Sequence, residues 1–308
     1  MNEFQLIAAL SASLPTNSGV IAGAGDDCAV LDSGLPVRAL LFKTDAVVEG
    51  VHFLPTAQPE SIGHKALARP LSDIAAMAGR PLAALVTLAL PKNFDPDFIQ
   101  KIYAGMGLLA RRHGVAIVGG ETTSNPERLL ISVALLGEVA RDKCVMRSGA
   151  GDGDALFVTG ELGGALEGKH LQFEPRLEEG RWLAEHFAIH AMIDLSDGLA
   201  GDLRHLMQRG NVGAELLARA IPISRAARRC AGTERKTLLL AALTDGEDYE
   251  LLFAASARDA VPLSDAWRKQ FPKLRLSCIG KITAAPGLAL RDANGVRTLE
   301  AHGYVHFS

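Results

Sequence analysis

Acidic residues lie beside strand-like segments and glycines at several separate points of this chain. Asp26 and Asp27 precede an apolar run, and Asp45 follows Thr44 at the end of another. Mg²⁺ is commonly held by one or two carboxylates together with substrate phosphates. Because like charges within a few ångströms repel each other, carboxylates that converge in the fold need a bound cation. The other acids of this set are Asp73, Glu121, Asp194 and Asp197. Taken alone, each acid is also typical of a turn or a helix cap.

The segment Gly163–His170 nearly matches the P-loop that binds nucleotide phosphates. It follows the strand-like run Ala155–Thr159, but His170 stands where a Ser or Thr hydroxyl must reach Mg²⁺. We therefore predict a glycine-rich turn that leads into a helix. The chain has no GxGxxG after a strand and no GxSxG elbow, so neither a dinucleotide fold nor a serine hydrolase is predicted.

A second acidic cluster, Asp245–Glu250, contains four carboxylates directly before an apolar run. It is compatible with a solvated turn. It is equally compatible with the wall of a substrate pocket that recognises a cationic or hydrogen-bond-donating ring. The residues alone leave both interpretations open.

Composition excludes several classes of protein. The 308 residues suggest about two domains, and the 32 basic and 35 acidic residues leave a formal net charge of −3. This balance is not that of a broad nucleic-acid-binding surface. With 48% hydrophobic and 22% charged residues, the chain is typical of a globular protein. No apolar run approaches the roughly 20 residues of a membrane span.

Targeting and cysteine patterns predict a cytoplasmic location. The N-terminal residues include Glu3, and the first basic residue is Arg38, so the positively charged start of a signal peptide is missing. The four cysteines are widely separated and form no CxxC pair, which predicts neither a zinc site nor a disulfide framework. We expect the thiols to be reduced.

Strand and helix patterns alternate along the chain, which predicts a mixed α/β fold in two domains. Alternation favours a parallel sheet, although it does not determine strand direction. The turn-rich segment Arg147–Asp154 predicts the boundary between domains 1–146 and 147–308. The predicted helices are Ser61–Gly79, which Pro70 should kink or restart, Asp95–His113, Arg176–Phe187 and Leu199–Arg209. The predicted strands are Arg38–Thr44, Leu82–Leu90, Val115–Val118, Leu129–Val139, Ala155–Thr159, Tyr249–Ala254 and Ser277–Ile282.

Seven short motifs follow one another in a distinctive order. They are GDDCAVL, TDAVVEGVHF, KALARPLSDIAAMAG, GGETT, RSGAGDGD, IDLSDGL followed by DL, and GEDYELLF. Together they resemble the motif series of the thiamine-monophosphate kinase family, from about Asp26 to the C-terminus. The final residues 303–307, GYVHF, are similar to the ending of that family.

The resemblance implies a fold and an activity. It implies the aminoimidazole-ribonucleotide-synthetase-like fold, with two mixed α/β domains and N-terminal domains that pair across a homodimer. The family transfers the γ-phosphoryl group of ATP directly to thiamine monophosphate, with Mg²⁺ ions bridging the phosphates and no phosphoenzyme. The implied partners are ATP, thiamine monophosphate, Mg²⁺ and a second copy of the chain, with neither nucleic acid nor membrane.

The resemblance also implies roles for individual residues. Asp73, Asp197 and Arg147 would be catalytic. ATP contacts would come from Gly120, Glu121, Arg147 and Ser196, and substrate contacts from His52, Glu247 and Tyr304. The implied Mg²⁺ ligands are Asp27, Thr44, Asp45, Asp73, Glu121, Asp194 and Asp197. Without the resemblance, His52 is equally a satisfied strand-edge histidine, Arg147 a linker charge and Tyr304 part of a core.

Three positions depart from the family pattern. Glu121 replaces an Asp, Lys43 replaces a Ser before Thr-Asp, and Pro70, preceded by Arg69, replaces an Asn. The longer Glu displaces its carboxylate, and Lys43 brings a cation that either replaces a metal or points away. These departures keep two alternatives open. One is a sibling ATP-using enzyme that acts on another small molecule, and the other is a catalytically quiet paralogue that binds nucleotide and metal.

Overall fold

The computed structural model describes residues 3–11, 13–230, 237–300 and 303–304. In this part of the chain the α-helices are α1 Glu3–Ser11, α2 Pro59–Ala76, α3 Pro96–His113, α4 Lys169–Gln172, α5 Leu177–His186, α6 Leu199–Gly210, α7 Arg225–Cys230, α8 Leu238–Thr244 and α9 Ala260–Gln270. The strands are β1 Val20–Ala22, β2 Ala29–Asp32, β3 Arg38–Val48, β4 Arg80–Leu90, β5 Ala116–Ser124, β6 Leu130–Ala140, β7 Ala155–Thr159, β8 Ile189–Asp194, β9 Gly213–Leu217, β10 Leu251–Ala255, β11 Leu276–Thr283, β12 Gly287–Asp292 and β13 Gly295–Thr298.

The chain forms two units. The N-terminal unit comprises Gly19–Cys144 together with Gly168–Glu179. The C-terminal unit comprises the described residues of Met1–Ser18, Val145–Glu167 and Gly180–Ser308. The short segment around α4 therefore packs with the N-terminal unit, although it follows β7 in the chain.

A six-stranded sheet in the order β1-β2-β3-β6-β4-β5 forms the centre of the N-terminal unit. Strands β3 and β6 pair antiparallel along their full lengths, from Arg38 opposite Ala140 to Val48 opposite Leu130. Helix α2 packs on β3, β4 and β6 and also against α3. The helices bury apolar side chains between the two layers, which fixes the register of the sheet because a slip of one residue would turn them outward. The fully buried members include Leu41, Ile62, Leu67, Leu71, Ile74, Ile131 and Val133.

The ends of α3 confirm the helix predicted over Asp95–His113. The Asp95 side chain accepts a hydrogen bond from the backbone N–H of Asp97, and Pro96 occupies the first turn. The helix ends at Gly114, whose left-handed backbone is the common helix C-terminus. Helix α2 runs without interruption through Pro70, so Pro70 does not restart the helix.

A seven-stranded sheet in the order β13-β12-β9-β11-β7-β10-β8 forms the C-terminal unit. Every residue of the central strands β7 and β10 is buried. Phe157 and Phe253 stack across this pair with ring centroids 5.3 Å apart. One face of α6, including Leu199 and Leu203, packs with Leu156 of β7 on the other face of this sheet.

Both sheets are mixed and mostly antiparallel, so the parallel arrangement that alternation favoured is wrong for most strand pairs. Only the β4–β5 and β9–β12 pairs run parallel among the described strands. Strands β4 and β5 are joined through helix α3, the long crossover that a parallel pair requires. A short turn joins β2 to β3, and such a turn gives an antiparallel pair. Among the described helices, none combines the length and the hydropathy that crossing a membrane would take.

Candidate functional site

Two buried carboxylates form the centre of the site in the N-terminal unit. Asp27 lies in the turn before β2 and Asp73 lies in α2, with 1% and 6% of their surfaces exposed. Carboxylate oxygens of the two residues lie within 4.8 Å of one another. The backbone N–H of Cys28 donates to Met77 Sδ at 3.1 Å, which holds the Asp27 turn beside the end of α2. Two acids at this separation are a donor pair for a hard cation.

Lys43 lies among these acids. Its Nζ is 2.6 Å from Asp73 Oδ1 and 3.9 Å from Asp45 Oδ2. Lys43 and Asp45 are two residues apart on β3, so both side chains leave the same face of the sheet. Arg69 adds a second cation, with Nη2 3.6 Å from Asp45 Oδ1. Burial opposes the charge of Lys43, but the carboxylates of Asp73 and Asp45 outweigh it and raise the lysine pKa.

The Cys28 thiol lies beside the same acids and is not a reactive group. Burial, reinforced by the negative charge of Asp73, raises the pKa of Cys28 well above its ordinary value. Because the thiolate is the nucleophilic form of cysteine, Cys28 is a small buried packing residue here.

Thr44 and Glu121 lie on the opposite face of the sheet from Asp45. Thr44 Oγ1 is 3.3 Å from Ser132 Oγ, so Thr44 lies on the face of Ser132. Thr87 lies opposite Ser132 on β6 and opposite Glu121 on β5, so Glu121 lies on that face as well. Strands β6 and β4 separate β3 from β5, so Glu121 stands about 14 Å across the sheet from β3. Within one chain, neither side chain joins the cluster of Asp27, Asp45 and Asp73.

Gly120 is fixed by the close approach of its neighbour. It lies opposite Val86 in the parallel β4–β5 pair. A Cβ added to Gly120, whose φ is 154°, would lie 1.8 Å from the Val86 carbonyl oxygen. Only glycine leaves this stretch of β5 in register, and the adjacent Glu121 is exposed, with Oε1 accepting from the Thr122 N–H at 3.2 Å.

His52 is held on both sides by the N-terminal unit. Its Nδ1 accepts a hydrogen bond from the Val48 N–H at 3.1 Å, so in the neutral ring the proton lies on Nε2. The His52 carbonyl accepts from Lys65 Nζ at 2.7 Å, and the same Nζ lies 2.8 Å from His170 Nδ1. Lys65 is fully buried. The segment that contains His170 thus helps to hold the loop of His52 in place.

The loop after β8 organises the site of the C-terminal unit. Asp194 is buried at the end of β8, and Ser196 and Asp197 are half-buried just beyond it. The Ser196 carbonyl accepts from the Glu247 N–H at 2.7 Å, and the Asp197 carbonyl accepts from the Tyr304 N–H at 2.8 Å. Backbone hydrogen bonds therefore bring Glu247 and Tyr304, which are distant in sequence, to the loop of Ser196 and Asp197.

Asp202 is a site residue that the sequence reasoning did not single out. Its carboxylate accepts from the Asp197 N–H at 3.0 Å, which fixes the turn between β8 and α6. Burial, followed by the charges of Asp197 and Asp194, raises the pKa of Asp202 well above its usual range, and the Arg147 charge acts in the opposite direction. The sequence signal for Asp202 was the Asp-Leu pair that follows the IDLSDGL motif after two intervening residues.

The buried members of the acidic segment Asp245–Glu250 fit neither of the two interpretations, because their carboxylates accept hydrogen bonds inside the protein. Asp248 accepts from the Gly163 N–H at 3.0 Å, and Asp245 accepts from the Gly164 N–H at 3.1 Å. Thr159 Oγ1 donates to the buried Glu250 at 2.8 Å. The backbone donors of the two glycines thus bind carboxylates of the protein itself, in agreement with the predicted glycine-rich turn.

Glu247 and Tyr304 remain on the accessible side of this region. Glu247 is half-buried with a left-handed φ of 59°, and Tyr249 Oη donates to its Oε1 at 3.4 Å. A non-glycine residue in this conformation is uncommon and often marks a functional position. Tyr304 is 49% exposed and therefore not part of a core. Residues 305–307 of the terminal motif lie outside the described residues.

Comparison with known proteins gives one consistent result. Two family models match this chain. The model of the AIR synthase related protein N-terminal domain matches residues 25–139, and the model of the C-terminal domain matches residues 147–293. The thiamine-monophosphate kinase of Rhodopirellula baltica is 39% identical over 296 residues, 93% of this chain and 92% of that protein. That of Bacillus subtilis is 31% identical, with 100% of both chains covered. The solved structure of AaThiL complexed with AMPPCP and TMP is 31% identical with a TM-score of 0.84, covering 99% of this chain and 97% of that chain. This chain therefore belongs to the thiamine-monophosphate kinase family.

Proposed function

We propose that this chain transfers the γ-phosphoryl group of ATP to thiamine monophosphate, with thiamine diphosphate and ADP as products. The observation that carries the proposal is the match along 99% of the chain to AaThiL complexed with AMPPCP and TMP. A nucleoside triphosphate analogue and a phosphorylated acceptor in one relative define both substrates of a phosphotransferase. The full-length identity of 31% to 39% to curated kinases weighs against a sibling enzyme with another substrate.

Mg²⁺ is the cation that the proposed reaction calls for, and the donor chemistry of Asp27 and Asp73 fits it. Their oxygens are hard, buried and within 4.8 Å of one another. In the C-terminal unit, Asp194 and Asp197 are the corresponding candidates. Asp45 already pairs with Lys43 and Arg69. Thr44 and Glu121 lie on the opposite face of the sheet and remain proposed ligands only for ions outside the cluster of Asp27, Asp45 and Asp73. When bound, Mg²⁺ neutralises phosphate charge and orients the reacting phosphates.

The residues of the chain bind and orient two phosphate groups and need little covalent chemistry. Phosphoryl transfer depends mainly on positioning and on stabilising charge. The acceptor is itself a phosphate that is largely ionised near neutral pH, so no strong general base is required. Arg147 supplies a fixed positive charge for ATP oxygens, and Ser196 supplies a hydroxyl donor. Gly120 is the proposed backbone contact for ATP phosphates, and its lack of a Cβ allows the close approach of Val86 on β4 that holds this part of β5 in place.

The thiamine part of the acceptor carries a positive charge, which explains the proposed substrate contacts. The Glu247 carboxylate is complementary to a cationic ring. The exposed ring of Tyr304 can stack on that ring by a cation–π interaction. His52, whose Nδ1 is an acceptor for the Val48 N–H, presents Nε2–H as a donor to substrate oxygen atoms.

A homodimer is part of the proposal. The outward face of the N-terminal sheet carries Phe42 and Leu85, each 48% exposed. They lie on one face, because Phe42 is opposite Leu136 and Leu85 is opposite Ala134 on β6. A second copy of the chain on this face would remove these side chains from water. A cytoplasmic location stays a prediction.

Chromatographic detection of thiamine diphosphate tests the proposed function. Purified protein is incubated with ATP, Mg²⁺ and either thiamine monophosphate or thiamine. We expect thiamine diphosphate from the monophosphate only, and no product when EDTA removes the divalent cation. ATP binding in calorimetry without any thiamine diphosphate would contradict the proposal and favour a catalytically quiet paralogue.

A further inference from the structure

Lys43 occupies the space between two acids that are candidates for metal ligands. Its Nζ is 2.6 Å from Asp73 Oδ1, a hydrogen bond and an ion pair at once. Mg²⁺ needs its oxygen ligands at about 2.1 Å. The ammonium group therefore already fills the position from which a cation would bind Asp73 Oδ1 and the nearby Asp45.

The charges of the cluster are also largely compensated without a metal ion. The acidic members are Asp27, Asp45 and Asp73, and the cationic members are Lys43 and Arg69. Within the N-terminal unit, these three carboxylates and two cations leave one formal negative charge. A second divalent cation in this cluster would lie beside a resident ammonium group, and like charges at that separation repel strongly where water is scarce.

We infer that Lys43 serves as the resident cation of the Asp45–Asp73 pair, so that this unit binds one divalent cation fewer than it would with a neutral residue at position 43. The Asp27–Asp73 pair remains as the metal site of the unit. This inference rests on the proposed magnesium-dependent transfer for its biological meaning. It assigns Lys43 a positioning and charge-neutralising role in the same site.

Local chain geometry makes this position difficult for Lys43 to leave. Lys43 and Asp45 lie on one face of β3, which pairs with β6 from Arg38 to Val48. Asp73 is held in the middle of the buried stretch of α2. The Lys43 side chain is 24% exposed and that of Asp73 only 8%, so a swing of the ammonium group into water would leave the Asp73 carboxylate buried without this ion-pair partner, which is costly.

Counting bound Mn²⁺ tests the inference without any turnover. The free-ion signal in electron paramagnetic resonance gives the number of Mn²⁺ ions bound per chain, using the full chain and Mn²⁺ alone. We expect Lys43→Ser to bind one more Mn²⁺ per chain than the wild type. The double variant Lys43→Ser/Asp45→Asn should return to the wild-type number, because it removes one ligand of the new site.

Matched variants separate the inference from simpler effects. Lys101→Ser makes the same change of net charge at an exposed position of α3 and should keep the wild-type number. Lys43→Arg should also keep it, because the positive charge remains. If Lys43→Ser does not fold, Lys43→Gln provides the neutral side chain with most of the packing retained.

Equal Mn²⁺ numbers for the wild type and the neutral variants at position 43 would overturn the inference. An extra ion in Lys101→Ser as well would also overturn it, since net charge alone would then explain the gain. Failure of the kinase assay is a different result, because the Mn²⁺ count requires neither ATP nor thiamine monophosphate. The two failures are therefore distinguishable.

Discussion

Replacement of Asp73 by Asn removes one charge while keeping the shape of the side chain. Asp73 lies 2.6 Å from Lys43, with only 8% of its side chain exposed. Breaking a buried ion pair by removing one partner costs about 3–5 kcal/mol. The Asn carbonyl still accepts a hydrogen bond, and Asp45 still lies 3.9 Å from Lys43 Nζ. We therefore expect the free energy of unfolding to fall by about 1–3 kcal/mol, less than the full cost of a broken buried pair. For units of this size, 2 kcal/mol corresponds to a decrease in Tm of about 4–8 °C.

The loss of activity in Asp73→Asn should be far larger than the loss of stability. If Asp73 binds the cation that neutralises the phosphates, kcat/KM should fall at least about 100-fold, or about 2.7 kcal/mol of transition-state stabilisation. The assay measures thiamine diphosphate at a temperature well below the lowered Tm, with circular dichroism as the check of folding. Asp142→Asn, which changes an exposed carboxylate of the same unit, is the matched control. A folded Asp73→Asn protein with activity within about threefold of the wild type would refute the assigned role.

Further predictions concern the sheet edge and the segment around α4. Glu121→Asp should keep or raise kcat/KM in the same assay if Glu121 is a suboptimal ligand, and a collapse of activity would show that the site requires Glu. Gly120→Ala should lower the free energy of unfolding by about 3 kcal/mol or more and abolish activity, because its Cβ would lie 1.8 Å from the Val86 carbonyl oxygen; a wild-type melting curve would contradict this. The hydrogen bond from His113 lowers the pKa of Glu174, so Glu174 contributes stability above about pH 4.5 that is lost as the pH falls through its folded pKa. Melting curves should therefore show Glu174→Gln slightly less stable than the wild type at pH 7, by a difference that shrinks as the pH falls below about 4.5; a difference that stays constant over the acidic range would exclude this origin.

Local sequence signals predicted most elements, because helices and strands respond to nearby residues. Strand Ala155–Thr159 has the predicted bounds, and α3 begins and ends where its cap residues indicate. Strand direction was not predictable in this way. It depends on which strands pair across the sheet, and β3 pairs with β6 rather than with β4.

The site residues were likewise predictable from local motifs, but their contacts were not. Short motifs were sufficient to nominate Asp27, Asp73 and Asp197, because the acid and its turn lie within a few residues. The contacts that give these acids their environment are distant in sequence. Lys43 meets Asp73 through the packing of α2 on β3, and no local pattern tells whether a strand lysine points into a cluster or into water. The resemblance named Lys43 as a departure, and only the fold gives its position beside Asp73.

The burial of acids in the segment Asp245–Glu250 was also not predictable from the sequence. Runs of acidic residues are usually solvated, since an isolated buried charge is costly. Here Asp248 and Glu250 are buried because Gly163 and Thr159 donate hydrogen bonds to them. These donors lie more than eighty positions earlier in the chain. A composition-based interpretation has no means of finding such partners.

The most direct test of the account follows the γ-phosphoryl group itself. In a single turnover with ATP labelled at the γ-phosphorus, thiamine monophosphate and Mg²⁺, the label is traced by chromatography and on the denatured protein. For direct transfer, we expect the label to leave ATP and to appear in thiamine diphosphate at the same rate, with none on the protein. Label released only as inorganic phosphate, or retained in ATP while both substrates are bound, would contradict the central claim.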